Sequence, residues 1–405
     1  MLTMTIAWRN IFRQKRRTTL TILTLLGGFT LSAISIGWSD GTYNRIIEMF
    51  TRNRLGHIQI HAAGYLDRPS LYRNITNGAE LGSRIEDIPE VEAWTPRLFS
   101  AALASVAEKT SGVQIVGINP EREARATRFD RKIIDGRSLS AEAAHETVIG
   151  RGLARTLKAG CGDEIVVVSQ GADGSIANDL YTIVGILESG DAIQDQASLY
   201  LHLADAQELL VLAGAVHELV VIASSLEDVA QATEAIQSRL NEPNLEVAPW
   251  QEFARPFYVA MKADQQGSWI GLFIIVLIVS IGVLNTILMT VLERTREYGV
   301  LKAVGTRPGQ VFRLVLYEVW IMSIVGVTIG AGISLIINYT LSIHGIVMPQ
   351  AFTYGGMEFT HYYAEVNARS ILIPAVTVIL SAVLVSILPA LRAARVAPAR
   401  ALRTH

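Results

Sequence analysis

A single cysteine, Cys161, stands among 405 residues, so no intrachain disulfide is available and a small disulfide-stapled scaffold is excluded. Charge is scarce too: 18% of residues are charged against 50% hydrophobic. That apolar content excludes a disordered chain. The usual chemistry-bearing motifs are missing. There is no G-x-x-x-x-G-K-[ST] loop for nucleotide phosphates, no G-x-S-x-G nucleophile turn, no H-E-x-x-H and no C-x-x-C. His57 and His61 share a face of an expected strand over 55–62 but lack an evident third ligand, so they read as polar surface histidines rather than a metal site. Asp191 and Asp195 in SGDAIQD lack the spacing and glycine of a calcium loop. No catalytic residue is expected.

What the sequence does have is long apolar runs, at 18–38, 268–292, 314–343 and 370–391. Crossing a bilayer takes about 20 such residues. Four transmembrane helices follow. The first run exceeds the apolar stretch of a signal peptide, about 7–15 residues, and is expected to stay as an anchor. The only charge in the four runs is Glu318, expected to snorkel to the interface or pair with Arg313. Small residues recur in these spans, including Gly27, Gly28 and the G-x-x-x-G pair Gly326 and Gly330, as in helices that pack closely within or between subunits.

Basic residues flank the spans unevenly. Arg9, Arg13, Lys15, Arg16 and Arg17 precede the first, Arg294, Arg296, Lys302, Arg307 and Arg313 follow the second, and Arg392, Arg395, Arg400 and Arg403 follow the fourth. The positive-inside rule therefore places a basic tail (1–17), a loop (293–313) and a carboxy-terminal tail (392–405) in the cytoplasm. Segments 39–267 and 344–369 fall outside, the second as a short loop. Residues 40–268 carry 20 basic and 32 acidic side chains, a charge that disfavours nucleic acid as a partner.

The outside segment reads as α+β. Strands are expected at 55–62, 112–118, 163–170, 180–188, 217–223 and 245–250, and helices at 151–158, 204–212 and 226–240. Its ends, 40–53 and 251–267, read as helical stalks continuing the spans, and about 130–200 as an inserted β-rich lobe. The expected fold class is thus a membrane α-helical protein, four transmembrane helices in a 1+3 arrangement, with a large α+β extracytoplasmic domain of two lobes.

The cytoplasmic loop, ERTREYGVLKAVGTRPGQVFR from Glu293 to Arg313, carries the densest signal. Val300, Leu301 and Val304 form an apolar stripe among charges, Gly305 stops the helix and Pro308 permits a new one. Such a helix suits docking in a partner's groove, or serves as a surface connector.

At these residues the chain resembles the FtsX-like ABC transporter permeases of the MacB type. ERTREYGVLKAVGTRPGQV at 293–311 resembles their coupling segment, AWRNIFRQKRRTTLTILTL at 7–25 their entry into the first helix, and LPALRAARVAPARALR at 388–403 their tail. GHIQIHAAGY at 56–65 and SGDAIQDQASLYLHLADAQELL at 189–210 look most like the LolC/LolE lipoprotein-releasing branch. MacB carries its ATPase on the same chain; here a separate one is expected, there being no room before Thr18.

The resemblance implies a permease subunit in the bacterial inner membrane, with a MacB-like periplasmic core. It has no cofactor of its own and works beside two ATPase copies, which bind ATP and magnesium, and a second permease copy or paralogue. Glu293, Glu297, Tyr298, Val300, Leu301, Lys302, Val304 and Gly305 would couple to the ATPase. Mechanotransmission would then extract lipoprotein or lipid-like cargo from the outer leaflet and pass it to a periplasmic carrier or adaptor. Phe29, Ser32, Ile36, Ile274 and Ile278 would line the cargo cavity. The resemblance leaves two alternatives open: MacB-like tripartite efflux of amphiphiles or peptides, and FtsX-like signalling to a cell-wall hydrolase.

Overall fold

The computed structural model describes residues 2–354 and 357–397. Two compact units emerge, one of Met1–Asn44, Met261–Pro349 and His361–His405, the other of Arg45–Ala260 and Gln350–Thr360.

The first unit is helical. Its elements are α1 (Leu2–Arg13), α2 (Lys15–Phe50), α3 (Arg255–Glu293), α4 (Thr295–Ala303), α5 (Pro308–His344) and α6 (Ala368–Arg395), with α2 and α3 running on into the other unit. Helices α2, α3, α5 and α6 are each long and apolar enough to cross a membrane. Their ends follow local chemistry. Pro308 opens α5, where the Gln310 side chain accepts from the Arg307 amide at 2.9 Å. Asn367 caps α6 by accepting from the Ser370 amide at 2.8 Å. Leu25, Phe29, Val279, Val283, Val315, Val319, Val378 and Ala382 form the shared core. The G-x-x-x-G pair packs within the chain: a Cβ on Gly330 would come 2.8 Å from the Phe29 ring, and one on Gly326 3.0 Å from Leu25 Cβ.

Three terminal or connecting stretches differ from their reading in sequence. The basic tail is mostly the helix α1, whose Ala7 is buried with Leu314 and Ile321 of α5. The short loop at 344–369 contains a two-stranded sheet, Ile346–Tyr354 with Met357–Tyr362. Arg392 and Arg395 occupy the last turn of α6, while Arg400 and Arg403 lie outside the described residues.

The second unit is built on one ten-stranded sheet: β1 (Ile58–Ala62), β2 (Val91–Val106), β3 (Lys109–Ile118), β4 (Ile133–Gly136), β5 (Glu146–Gly150), β6 (Glu164–Gln170), β7 (Ile176–Leu187), β8 (Ser198–His202), β9 (Glu218–Ala223) and β10 (Leu245–Pro249). Their order is β10-β1-β9-β2-β3-β8-β5-β7-β4, and β6 pairs with both β2 and β7. Strands β2, β3, β8, β5, β7 and β6 therefore close into a ring, which leaves no free edge among them. Its apolar filling includes Leu98, Ile115, Ile149, Ile165, Val167, Tyr181, Ile183 and Leu199. Full burial of one such aliphatic side chain contributes about 2 kcal/mol. The strands within 130–200 do not form a sheet of their own, because β6 pairs with β2 and β8 runs parallel to β3.

Buried polar groups tie this unit together. Arg97 of β2 meets Glu123 at 2.6 Å and Glu218 of β9 at 3.3 Å, and Thr95 and Thr127 donate to Glu123. Burial pushes the Glu123 carboxyl up, but Arg97 and Thr127 outweigh it and hold it below the ordinary range. Burial prevails at Glu218, raised to about 7. His57 and His61 are not surface groups: each is at most 2% exposed. His57 Nδ1 accepts from the Ala223 amide at 3.1 Å, and the His61 ring lies 3.2 Å from the His217 carbonyl and 3.0 Å from Gln59 Oε1. Asp191 caps the short helix Ala192–Ala197 and pairs with Arg54, and Asp195 accepts from Ser189.

Candidate coupling site

The chain turns sharply between α3 and α5, and α4 fills the turn. Glu293 ends α3; Arg294 leaves helical geometry at φ −91° and ψ 10°; α4 then starts at Thr295. The expected helix over 293–305 is thus broken after its first residue. Glu293 belongs to the preceding helix, where it pairs with Arg17 of α2. Val304 ends the short helix, and Gly305 follows at φ +103°, a left-handed backbone that a residue with a Cβ adopts only under strain.

Arg294 anchors the elbow. Its Nη1 donates to both oxygens of Glu318 on α5, at 3.1 and 3.0 Å, and its Nε donates to Glu297 at 2.9 Å. Asn10 of α1 donates to the same Glu318 carboxylate at 2.7 Å. Glu318 is 8% exposed and Arg294 6%. Glu318 therefore neither snorkels nor pairs with Arg313; it holds the root of α4 and the inner face of α1. A pair buried this deeply keeps its geometry because either charge alone would be costly to bury.

The residues of α4 divide between two faces. Tyr298 is fully buried in the bundle core, beside the Arg294 guanidinium, whose carbon lies 5.2 Å from the ring centroid. Lys302 turns to α6 and donates to the carbonyls of Ala394 and Val396 at 2.9 and 2.7 Å, closing the carboxy-terminal end of that helix. Leu301 is partly buried against the core. Val300, Val304 and Glu297 face outward, with Val304 84% exposed. Val300 and Val304 stand four residues apart, the spacing of neighbours on a helix face. An apolar pair with an adjacent carboxylate is thus presented on a firmly held helix. Asn10, Arg17, Arg294 and Glu318 complete the site, and the loop sequence alone gave no sign of three of them.

The residues expected to line a cargo cavity do not meet in one place. Phe29 and Ser32 are fully buried inside the helical unit. Ile36 borders a small cavity of about 30 Å³ with Asp40, Ser268, Trp269 and Leu272. Ile274 and Ile278 lie on the exposed face of α3, with Phe273, Leu277 and Ile281. Asn285 is exposed as well, one turn beyond Ile281.

Comparison with known proteins agrees with this architecture. The MacB-like periplasmic core domain family matches residues 18–239, and the FtsX-like permease C-terminal family matches 269–398. The chain is 22% identical over 361 residues to the lipoprotein-releasing system transmembrane protein LolE of Haemophilus influenzae, covering 86% of this chain and 85% of that protein. It is 22% identical over 274 residues to LolC of Neisseria meningitidis, covering 66% of this chain and 65% of that one, just under two thirds of its length. It is also 34% identical over 137 residues to the ABC transporter permease YtrF of Bacillus subtilis, covering 33% of this chain and 28% of that protein. With the periplasmic-core match alone taking in more than half of 405 residues, the chain belongs to the FtsX-like ABC transporter permeases that carry a MacB-like periplasmic core.

Proposed function

We propose that the chain is a permease subunit that couples ATP hydrolysis on a separate ATPase to extraction of a lipoprotein or lipid-like cargo from the outer leaflet of the inner membrane. The observation that carries the reading is the held helix α4, with Val300 and Val304 exposed and its root clamped by Glu318. A partner that takes up this face moves α4, and the Arg294–Glu318 contact passes the displacement to α5. ATP and magnesium belong to that partner, present in two copies. Both termini and α4 are cytoplasmic, and the sheet-bearing unit is periplasmic. One span precedes that unit and three follow, the 1+3 arrangement. A second permease copy or paralogue completes the assembly, and a periplasmic carrier or adaptor receives the cargo.

The nature of the cargo rests on the relatives, two of which are lipoprotein-releasing proteins. The exposed face of α3 fits this role. Ile274 and Ile278 stand with Asn285, an amide that hydrocarbon would leave without a partner, so a face of this kind suits contact with a second subunit or a cargo chain. A second reading is export, since the chain is 25% identical over 344 residues to the pyoverdine export protein PvdT of Pseudomonas savastanoi, covering 81% of this chain and 50% of that one.

Native mass spectrometry of the complex, purified through a tag on this chain, tests the proposal. Two permeases, two ATPases and an acylated protein would support extraction. An adaptor without acylated cargo would support export, and a cell-wall hydrolase would support signalling instead.

A further inference from the structure

The helix α1 has two faces of different chemistry. Its inner face is spoken for: Ala7 and Ile11 pack against α5, and Asn10 reaches Glu318. Its outer face carries Trp8, 51% exposed, and Phe12, 59% exposed, joined edge-to-face with centroids 5.3 Å apart. Met4, one turn before Trp8, extends the apolar surface. Exposed Arg9, Arg13, Lys15 and Arg16 stand beside it. Arg17 pairs with Glu293, but no ion pair joins these four to a carboxylate among the described residues. The sequence holds no aspartate or glutamate before Asp40.

Aromatic side chains beside unpaired cations, at the mouth of a span that starts at Lys15, match one environment well. That environment is the boundary between headgroups and acyl chains, where an amphipathic helix sinks its rings into the acyl edge and leaves its cations among the phosphates. We propose that α1 is a membrane-surface helix that binds anionic lipid: Trp8 and Phe12 enter the acyl boundary, while Arg9, Arg13, Lys15 and Arg16 hold lipid phosphates. A water-facing site would leave two edge-to-face aromatic side chains exposed without gain. A protein partner for this face would need to supply several carboxylates. Lipid binding on the outer face would also steady Asn10 on Glu318, and through it the root of α4; that consequence alone rests on the coupling reading above.

The test uses the full-length chain with Cys161→Ser and Met4→Cys, labelled at position 4 with an environment-sensitive fluorophore and reconstituted in vesicles. Phosphatidylcholine alone is compared with phosphatidylcholine plus phosphatidylglycerol, each with and without a spin-labelled lipid quencher. Quenching is expected to rise at least about twofold with the anionic lipid, and the rise to vanish when Arg9, Arg13, Lys15 and Arg16 are changed to Gln. Trp8→Ala with Phe12→Ala should lower quenching in both lipids. Weak quenching in both lipids, or equal quenching with and without phosphatidylglycerol, overturns the proposal. Loss of quenching when the partner ATPase is added also overturns it, by showing a protein on this face. Because the lipid comparison uses chains with an intact α1, failure of the Gln variant to fold does not blunt it. Its outcome does not depend on ATP coupling.

Discussion

One guanidinium nitrogen of Arg294 lies between the two carboxylate oxygens of Glu318, at 3.1 and 3.0 Å, and so ties the start of α4 to about the third turn of the neighbouring helix α5. The contact is buried, and Asn10 shares its carboxylate. Three helices and the segment expected to meet the ATPase converge on that single side chain.

Glu318→Ala should destabilise the chain strongly, since breaking a buried pair costs about 3–5 kcal/mol. Glu318→Gln keeps an acceptor for Asn10 and should cost less. It should still loosen α4, raising hydrogen exchange at Thr295–Ala303 while the sheet of the other unit stays protected. Equal exchange in wild type and Glu318→Gln would show that the pair does not hold α4.

The two faces of α4 should separate in mutants. Val304→Asp changes an exposed residue, so stability should shift by no more than about 0.5 kcal/mol, whereas ATPase association should be lost. Tyr298→Ala empties a core position and should cost about 3–5 kcal/mol, with coupling lost only through misfolding. Glu297→Lys with Leu301→Asp should uncouple without unfolding, although Leu301 is partly buried and some loss of stability is expected. Thermal stability in detergent and co-purification with the ATPase, measured on the same preparations, distinguish these outcomes.

Two adjacent glycines make a matched test of helix packing. A Cβ on Gly28 would fall 2.2 Å from Val279 Cγ2, whereas one on Gly27 meets nothing within 4 Å. Gly28→Ala should therefore destabilise by about 1–3 kcal/mol. Gly27→Ala should be neutral or slightly stabilising, because alanine is the better helix former. Val279→Ala combined with Gly28→Ala should recover part of the loss. Thermal unfolding of these three variants beside the wild type checks this.

Acid should weaken the sheet-bearing unit through its histidines. Burial lowers His57 and His61 to about 4, so the native state holds both neutral while the unfolded chain takes up protons from about pH 6.5 downward. Their contribution, up to about 3 kcal/mol each, is complete above pH 6.5 and is lost as the pH falls towards 4. Glu218 acts with the opposite sign. Raised to about 7, it costs stability above that pH and returns it as the pH falls towards the ordinary carboxylate range. Unfolding followed from pH 7.5 to pH 4.5, roughly the window these shifts define, should thus show a net loss. Glu218→Gln should steepen it, and His61→Gln should flatten it. A flat profile in the wild type contradicts the assignment.

The spans were legible because hydrocarbon demands long uncharged runs, and all four reappear as helices. The coupling segment was legible from Val300, Val304 and Gly305, whose spacing and backbone freedom mark a short helix and its end. The role of Arg294 was not, since its partners lie 24 residues downstream at Glu318 and, through that carboxylate, at Asn10, 308 residues from Glu318. Arg313 was the nearer cation in sequence, but five residues along a helix turn about 140° and leave the two side chains on different faces. The longest strand, β2, was missed because VEAWTPRLFSAALASV does not alternate cleanly and contains Pro96. The burial of His57 and His61 came from β1 lying between β9 and β10, a pairing over more than 150 residues that no local pattern announces. In α1, the crowd of cations masked the inward pair Ala7 and Ile11.

The most direct measurement is site-specific cross-linking from α4 in native membranes. Val304→Cys and Val300→Cys, each with Cys161→Ser, would carry a photo-reactive group. The account expects both to capture the partner ATPase, with yields that change on adding ATP, while the same group at Gly27→Cys, on an exposed face within the first span, captures none. An intact, co-purifying complex in which neither position yields a cross-link to the ATPase would contradict it.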